Sequence, residues 1–200
     1  MSKDLIMVFT RNPELGKVKT RLAKTIGKAN ALKVYEYLLH HTHDILLQLD
    51  IDKAVYYSVT IRENDMWSSH HFQKHQQQGS DLGLRMLDAF KSAFKKNYNK
   101  VIIIGSDLLD LRAKHIKDAL KALDTHDITI GPALDGGYYL IGMTNLYSNI
   151  FQNKNWGTDT VFKATMQDLE NHDVHLLDEL NDIDTFADFK VYPELKQLIT

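Results

Sequence analysis

The stretch Val101-Ile-Ile-Ile-Gly-Ser-Asp107 joins four β-branched residues to a glycine and a polar pair. A short run of β-branched residues is typical of a strand that is buried on both faces of a sheet. In open α/β sheets, ligands bind beyond the carboxyl ends of such strands. We therefore expect this stretch to form a buried strand and to place Asp107, the acid that follows it, near a ligand.

Predicted strands and helices alternate on both sides of this stretch. The predicted strands are Leu5–Phe9, Ala54–Val59, Ile128–Ile130, Tyr138–Met143 and Val174–Leu177, and the predicted helices are Lys28–Leu49, with a break near His40, Asp81–Phe94, Ala113–Leu123 and Thr158–Glu170. Residues 66–78 are predicted to hold a short helix and a short strand, and a C-terminal helix is predicted to break near Pro193. This alternation predicts an α/β fold with a mostly parallel sheet.

Length and composition limit the possible classes of protein. A chain of 200 residues with 44% hydrophobic and 25% charged residues is typical of one globular domain, here residues 1–200. The absence of cysteine excludes a disulfide framework, a zinc–cysteine site, an iron–sulfur cluster and a catalytic thiol. A net charge of -2 gives no strong field that would favour nucleic acid or an anionic membrane.

The sequence shows no targeting or membrane-spanning segment. Residues 1–9 lack the apolar core of a signal peptide. The longest aliphatic run elsewhere, Val101 to Ile104, is far shorter than the ~20 residues that span a bilayer. We therefore expect a cytoplasmic protein.

The loop after the first predicted strand is rich in basic residues. It contains Arg11, Lys17, Lys19 and Arg21 with one acidic residue, Glu14. Cations between the end of a strand and the start of a helix favour a phosphate site. The spacing of a P-loop, G-x-x-x-x-G-K-[ST], is absent. The alternative interpretation is a basic loop that is simply solvated.

A carboxylate directly follows the buried strand Val101–Gly105. Asp107, with Gly105 allowing close approach of the backbone, suits a hard cation such as Mg²⁺ or Mn²⁺. The alternative is that Asp107 or Asp110 caps the helix that begins near Leu111.

Two further acidic segments have both a functional and a structural interpretation. Asp182 and Asp184 lie two residues apart, so in an extended chain they point the same way, but Thr185 and Asp188 also resemble a capping box. The stretch Asp135-Gly-Gly137 indicates a tight backbone path beside a ligand, but Asp-Gly is also a common hairpin turn.

Six segments together resemble one known family. They are Phe9–Leu22, Gly79–Met86, Gly105–Asp107, Gly131–Gly142, Trp156–Thr158 and Asp182–Thr185, in that order. This set is similar to a bacterial family of GT-A type glycosyltransferase-like proteins, several of them labelled nucleotide-diphospho-sugar transferases or arsenosugar-biosynthesis glycosyltransferases. At one remove, the family is similar to the molybdenum-cofactor and phospholactate guanylyltransferases, whose Lys-Ser-Arg-Leu resembles Lys19-Thr-Arg-Leu22.

The resemblance implies a fold and a set of roles. It implies one three-layer α/β/α domain with a Rossmann-like sheet. The implied nucleotide- and phosphate-binding residues are Thr10, Arg11, Lys17, Lys19, Arg21, Gly79, Asp81, Gly83 and Arg85. The implied ligands of Mg²⁺ or Mn²⁺ are Asp107, Asp184 and Asp182.

The remaining candidates concern the acceptor. Asp135 is the candidate base for an acceptor hydroxyl, and with Asp107 it makes up the candidate catalytic pair. The candidate acceptor residues are Gly136, Gly137, Trp156 and Thr158, although Trp156 could equally be a core residue.

Three functions remain open on these grounds. The leading hypothesis is a metal-dependent glycosyltransferase that uses a nucleotide-diphospho-sugar and a small-molecule acceptor. The alternative is a nucleotidyltransferase that joins a nucleotide triphosphate to a phosphorylated small molecule. The absence of the Leu-x-Gly-Gly-x-Gly-x-Arg loop of nucleotidyltransferases favours the first hypothesis. The third is a non-catalytic nucleotide-binding protein, indicated only by Leu108-Leu109, where the family has a different sequence.

Overall fold

Strands and helices alternate along residues 3–199, the part of the chain that the computed structural model describes. The strands are β1 (Asp4–Thr10), β2 (Asp52–Tyr57), β3 (Gln73–Gln76), β4 (Lys100–Ile104), β5 (Ile128–Pro132), β6 (Tyr138–Met143) and β7 (Val174–Leu176). The α-helices are α1 (Thr20–Ile26), α2 (Lys28–Leu47), α3 (Leu82–Lys95), α4 (Ala113–Ala122), α5 (Val161–Asp168), α6 (Phe186–Phe189) and α7 (Pro193–Gln197).

The seven strands form one sheet in the order β3-β2-β1-β4-β6-β5-β7. Strand β6 is antiparallel to both of its neighbours, and the other pairs are parallel. The predicted α/β class with a mostly parallel sheet is therefore confirmed. The quoted strand, β4, lies at the centre of the sheet beside β1.

Alternation along the strands buries both faces of the sheet. In β1, Ile6 and Val8 join the core cluster that contains residues of α2 and α4. Leu5 and Met7 join the cluster that contains residues of α3 and packs against α5. Because successive side chains of a strand point to opposite faces, this arrangement gives three layers, helices on each side of one sheet.

A third, smaller cluster holds the C-terminal segment against the first two helices. It joins Leu22 and Leu38 to Leu109, Ile183 and Phe189. The backbone N–H of Ile183 also donates to the carbonyl oxygen of Asp107 at 3.0 Å. These contacts bring residues 182–184 to the carboxyl end of β4.

Some local predictions were wrong. Helix α2 runs through His40 without a break, and residues 66–78 contain β3 and hydrogen-bonded turns but no helix. The spacing of apolar residues in Asp81–Phe94 also predicts that Leu84 faces inward, but Leu84 is 40% exposed. The buried side of α3 runs instead through Gly83, Met86 and Phe90, the spacing of one helical face.

Candidate functional site

A groove of about 650 Å³ lies where β1 and β4 end and α3 begins. Its walls contain many of the predicted site residues, namely Thr10, Arg11, Lys17, Lys19, Arg21, Asp81, Arg85, Asp107 and Asp184. Residues far apart in the sequence thus meet in one place because their strands end at the same edge of the sheet.

Lys19 and Asp107 form an ion pair in this groove. Lys19 precedes α1 in a left-handed conformation with φ 45°, which is uncommon for a residue other than glycine. Its side chain is 4% exposed, and its Nζ donates to Oδ2 of Asp107 at 2.8 Å. Burial alone lowers the pKa of Lys19, but Asp107, with the nearby Asp184 and Asp182, raises that pKa above its ordinary value. The groove therefore contains a fixed positive charge.

The other cations of this loop are more exposed. Arg21 donates from Nη1 to Oδ2 of Asp184 at 2.9 Å, and Lys17 pairs with Glu14 at 2.7 Å. The guanidinium of Arg11 forms no ion pair or side-chain hydrogen bond within residues 3–199. Lys17 therefore resembles a solvated loop residue, whereas Arg11 offers an uncompensated charge to the groove.

Two residues that the sequence did not indicate hold the backbone of this loop. The hydroxyl of Tyr35, in α2, accepts from the N–H of Arg11 at 2.9 Å and also contacts the carbonyl oxygen of Arg11 at 3.1 Å. Asn12 donates from Nδ2 to the carbonyl of Thr60 at 2.8 Å and accepts from the N–H of Val59 at 2.9 Å. The path of the loop is therefore set by side-chain hydrogen bonds.

Some residues at the start of α3 shape the beginning of the helix, and others line the groove. Asp81 caps the helix by accepting from the N–H of Leu84 at 2.9 Å. A Cβ on Gly79 would lie 2.9 Å from the backbone nitrogen of Arg85. A glycine at this position therefore allows the chain before α3 to pack against the first turn of that helix. The guanidinium of Arg85 lines the groove, held by the carbonyl of Gly79 at 3.0 Å and by Oε1 of Gln77 at 3.4 Å. Gln77 is a further residue that the sequence did not indicate.

Gly83 lies beneath Trp156 rather than in the wall of the groove. A Cβ on Gly83 would lie 2.5 Å from the indole of Trp156 and 2.3 Å from the carbonyl oxygen of Phe151. This glycine therefore allows the ring of Trp156 to pack directly on α3.

Four carboxylates lie near one another at the end of β4. Burial raises the pKa of Asp182 to about 6, and the charges of Asp107 and Asp135 raise this pKa further. Lys19 lowers the pKa, by more than Asp184 raises it. No three His, Asp or Glu side chains among the described residues form a ready metal-chelating group. Asp107 and Asp184 line the groove, and carboxylate oxygens are the ligands that a hard divalent cation prefers.

An Asp182→Asn variant tests this electrostatic arrangement through pH. Folding raises the pKa of Asp182 from 3.8 to about 6, so the folded state binds the proton more tightly and the contribution of this residue to stability falls as pH rises across that interval. The variant, without that group, is expected to gain about 1 kcal/mol relative to wild type between low and neutral pH, a figure discounted for partial exposure. Urea unfolding of both proteins in EDTA measures the difference, and a pH-independent difference would contradict the assignment.

A second, mostly apolar cavity of about 190 Å³ adjoins the groove. Phe9, Leu82 and Gly105 line both spaces. Its other wall residues are Met86, Ile103, Ile104, Asp135, Gly137, Tyr138, Tyr139, Ile141, Trp156, Gly157 and Val161. Of the predicted acceptor residues, Gly137 and Trp156 thus line this cavity together with Asp135.

The turn that carries Asp135 connects β5 to β6 in a hairpin, as the alternative interpretation held. Oδ1 of Asp135 accepts from the N–H of Gly137 at 2.8 Å. Gly136 has φ 84°, and its carbonyl accepts from the N–H of Phe162 at 2.9 Å. Thr158 is exposed and donates to the carbonyl of Asn155 at 2.8 Å.

The helix-capping interpretation is wrong for Asp110 and confirmed for Thr185 and Asp188. Asp110 does not cap α4, which begins after Arg112. Its Oδ2 accepts instead from the hydroxyl of Tyr192 at 2.5 Å. The capping box of Thr185 and Asp188 is present at the start of α6, and it leaves Asp182 and Asp184 on the approach to that helix.

In the part of the chain that the structure describes, no helix is long and apolar enough to span a membrane.

Comparison with known proteins identifies relatives of this chain. Residues 41–158 match a sequence family described as an uncharacterized protein conserved in bacteria (DUF2064). A solved structure from Desulfovibrio desulfuricans G20, described as a candidate nucleotide-diphospho-sugar transferase, is 34% identical; the match covers 96% of this chain and 86% of that chain, with a TM-score of 0.88. No curated protein matches significantly.

More distant structures share the fold. CMP:2-keto-3-deoxy-manno-octonic acid synthetase complexed with CTP is 12% identical over 98% of this chain and 99% of that chain, with a TM-score of 0.57. Rv0371c of Mycobacterium tuberculosis H37Rv in complex with manganese is 12% identical over 96% and 99% of the two chains, with a TM-score of 0.57. The relative that is 34% identical confirms the predicted resemblance and transferase class, and all three structures share the predicted fold class.

Proposed function

We propose that this chain, which belongs to the bacterial DUF2064 family, is a single-domain, metal-dependent glycosyltransferase. Its donor is a nucleotide-diphospho-sugar, and its acceptor is a small molecule. The observation that carries the proposal is the ion pair between the buried Lys19 side chain and Asp107, in a groove that also contains Arg11, Lys17 and Arg21. Such a set of charges suits a diphosphate.

The chain's own residues have separate roles in this reaction. The cations of the loop after β1 hold the donor diphosphate and stabilise the charge that grows on it as its bond to the anomeric carbon breaks. The acceptor oxygen forms the new bond to that carbon, and its proton passes to the carboxylate of Asp135. Asp107, with Asp182 and Asp184, would hold Mg²⁺ or Mn²⁺, which supplies further positive charge to the leaving diphosphate.

Calorimetric titration with a panel of nucleoside diphosphates tests the proposal. At least one diphosphate is expected to bind in the presence of Mn²⁺ and to bind much more weakly in EDTA. The matching nucleotide-sugar is then expected to release that nucleoside diphosphate. If no diphosphate in the panel binds with Mn²⁺, the proposal is wrong.

Nucleotidyl transfer is the second candidate, and the segment Lys19-Thr-Arg-Leu22 favours it. In that reaction the α-phosphate of a nucleotide triphosphate would be attacked by an acceptor phosphate, with loss of pyrophosphate. The products separate the candidates, because glycosyl transfer releases a nucleoside diphosphate. An assay for pyrophosphate across the nucleotide triphosphates decides between them.

An Arg11→Gln variant is expected to weaken binding of the selected nucleoside diphosphate about tenfold, the effect of losing one charge-assisted hydrogen bond. Its thermal stability is expected to stay unchanged, because the Arg11 guanidinium has no protein partner within residues 3–199. Lys117→Gln, on the exposed side of α4, is the matched control for loss of one positive charge. Equal weakening in the two variants would contradict a direct contact at Arg11.

A further inference from the structure

The cavity beside the groove contrasts chemically with the groove itself. Its wall consists largely of apolar side chains, among them Phe9, Met86, Ile103 and Val161. The tyrosine hydroxyls of the wall are directed elsewhere, since that of Tyr139 donates to the carbonyl of Asp178 at 3.1 Å. The groove, in contrast, is lined mainly by charged and hydroxyl-bearing residues.

The hydroxyl of Tyr138, the second tyrosine of the wall, lies beside Thr165 and is inaccessible to solvent. It has no hydrogen-bond partner within residues 3–199, and because it is inaccessible it presents no polar group to the cavity. The carboxylate of Asp135 is therefore the charged side chain of this cavity, and it lies on an exposed turn at the cavity's edge. The cavity thus combines an apolar interior with one proton acceptor.

A sugar ring would be a poor occupant of this interior. Each hydroxyl that leaves water without finding a new hydrogen bond weakens binding roughly fivefold to a hundredfold. An apolar group of similar size strengthens binding instead, about fourfold for each methylene buried. A dry apolar cavity of about 150 Å³ accommodates benzene in another protein, so about 190 Å³ suits one six-membered ring.

We propose that this cavity binds the apolar body of the acceptor, an alcohol with a compact hydrocarbon group, and that its hydroxyl is directed to Asp135. This inference rests on the proposed glycosyl transfer and names the acceptor class. The donor sugar stays in the polar groove. In the transfer step the acceptor C–O–H oxygen forms the bond to the anomeric carbon, the bond from that carbon to the diphosphate breaks, and the proton goes to Asp135.

Cyclohexanol and myo-inositol form a matched pair of probes, because both are six-carbon rings and differ in their number of hydroxyls. The chain has two tryptophans, of which Trp156 lines the cavity and Trp67 is buried in the core. Cyclohexanol is expected to shift the tryptophan emission and to bind at least about tenfold more tightly than myo-inositol. A Trp156→Phe variant is expected to lose the emission response.

A Val161→Phe variant, which fills the cavity from the start of α5, is expected to weaken cyclohexanol binding at least about tenfold. It should still bind the selected nucleoside diphosphate. Val191→Phe, at a position 61% exposed, is the control for the added ring, and thermal melting confirms that both variants fold. Unchanged binding of cyclohexanol to the Val161→Phe variant overturns the location.

The outcomes separate this inference from the function on which it rests. If a nucleoside diphosphate binds and cyclohexanol becomes glycosylated in preference to myo-inositol, both are supported. If the diphosphate binds but myo-inositol is the better ligand and acceptor, the acceptor class is wrong and the transferase proposal stands. If cyclohexanol binds but no diphosphate does, the cavity is an apolar site and its assignment to an acceptor is overturned.

Discussion

Replacing Asp107 with asparagine is expected to lower the rate of transfer on the order of a thousandfold, because the change removes a candidate metal ligand and uncouples Lys19. It is also expected to destabilise the fold. The Lys19 side chain is 4% exposed and would lose its anionic partner. Breaking a fully buried pair costs about 3–5 kcal/mol. Because Asp107 is 37% exposed, we expect about 1–3 kcal/mol.

A double-mutant cycle distinguishes loss of the pair from loss of one side chain. Asp107→Asn, Lys19→Met and the combined variant are unfolded in urea under the same conditions. The combined variant is expected to be more stable than Asp107→Asn alone, since it leaves no unpaired charge in the groove. Additive losses would show that the two groups do not interact.

A variant of the neighbouring Asp110 is the control for a general disturbance of the loop after β4. An Asp110→Asn variant weakens the hydrogen bond from Tyr192 and is expected to affect stability without changing diphosphate binding. If both aspartate variants lose binding to the same degree, the effect belongs to the loop as a whole rather than to Asp107.

Replacing Gly136 with alanine is expected to destabilise the protein by roughly 3 kcal/mol or more and to displace Asp135. Two causes combine. A left-handed conformation costs a residue with a Cβ about 1–2 kcal/mol, and Gly136 has φ 84°. The added Cβ would also lie 2.3 Å from the carbonyl oxygen and 2.5 Å from the Cα of Asp159, so two backbone segments must separate.

Gly157 provides a matched control for this prediction. Its φ is 81°, nearly that of Gly136, but no atom lies within 4 Å of the position of an added Cβ. Gly157→Ala is therefore expected to cost only the conformational term, about 1–2 kcal/mol. Thermal and urea unfolding of the two variants measure the difference. Equal losses would show that the contact with Asp159 has no energetic role.

The fold was largely predictable because its signals are local. The run of β-branched residues that forms β4 and the alternation of strands and helices are visible without any tertiary contact. The direction of β6 could not be predicted in this way, because a strand with apolar residues on both faces can run in either direction. The Asp-Gly turn before Tyr138 was the one local indication of a hairpin.

The sequence could predict that some residues meet in the groove. Asp107 and Arg11 follow closely after strands, whose carboxyl ends meet at one edge of the sheet, and Lys19 lies in the loop after β1. The role of Tyr35 could not be predicted from the sequence. A core residue and a residue whose hydroxyl holds a loop would occupy the same position on the inward face of α2. The pairing of Lys19 with Asp107 joins residues far apart in sequence, which composition and spacing do not reveal.

The hydrogen bonds of Tyr35 have a consequence for the thermodynamics of ligand binding. The phenol occupies both the N–H and the carbonyl of Arg11, and Asn12 fastens the next residue to a second loop. The backbone entropy of this loop is thus lost during folding rather than during association. In hydrogen exchange, the amide of Arg11 should be protected before any ligand is added, and a Tyr35→Phe variant should convert nucleotide binding into a process that orders the loop.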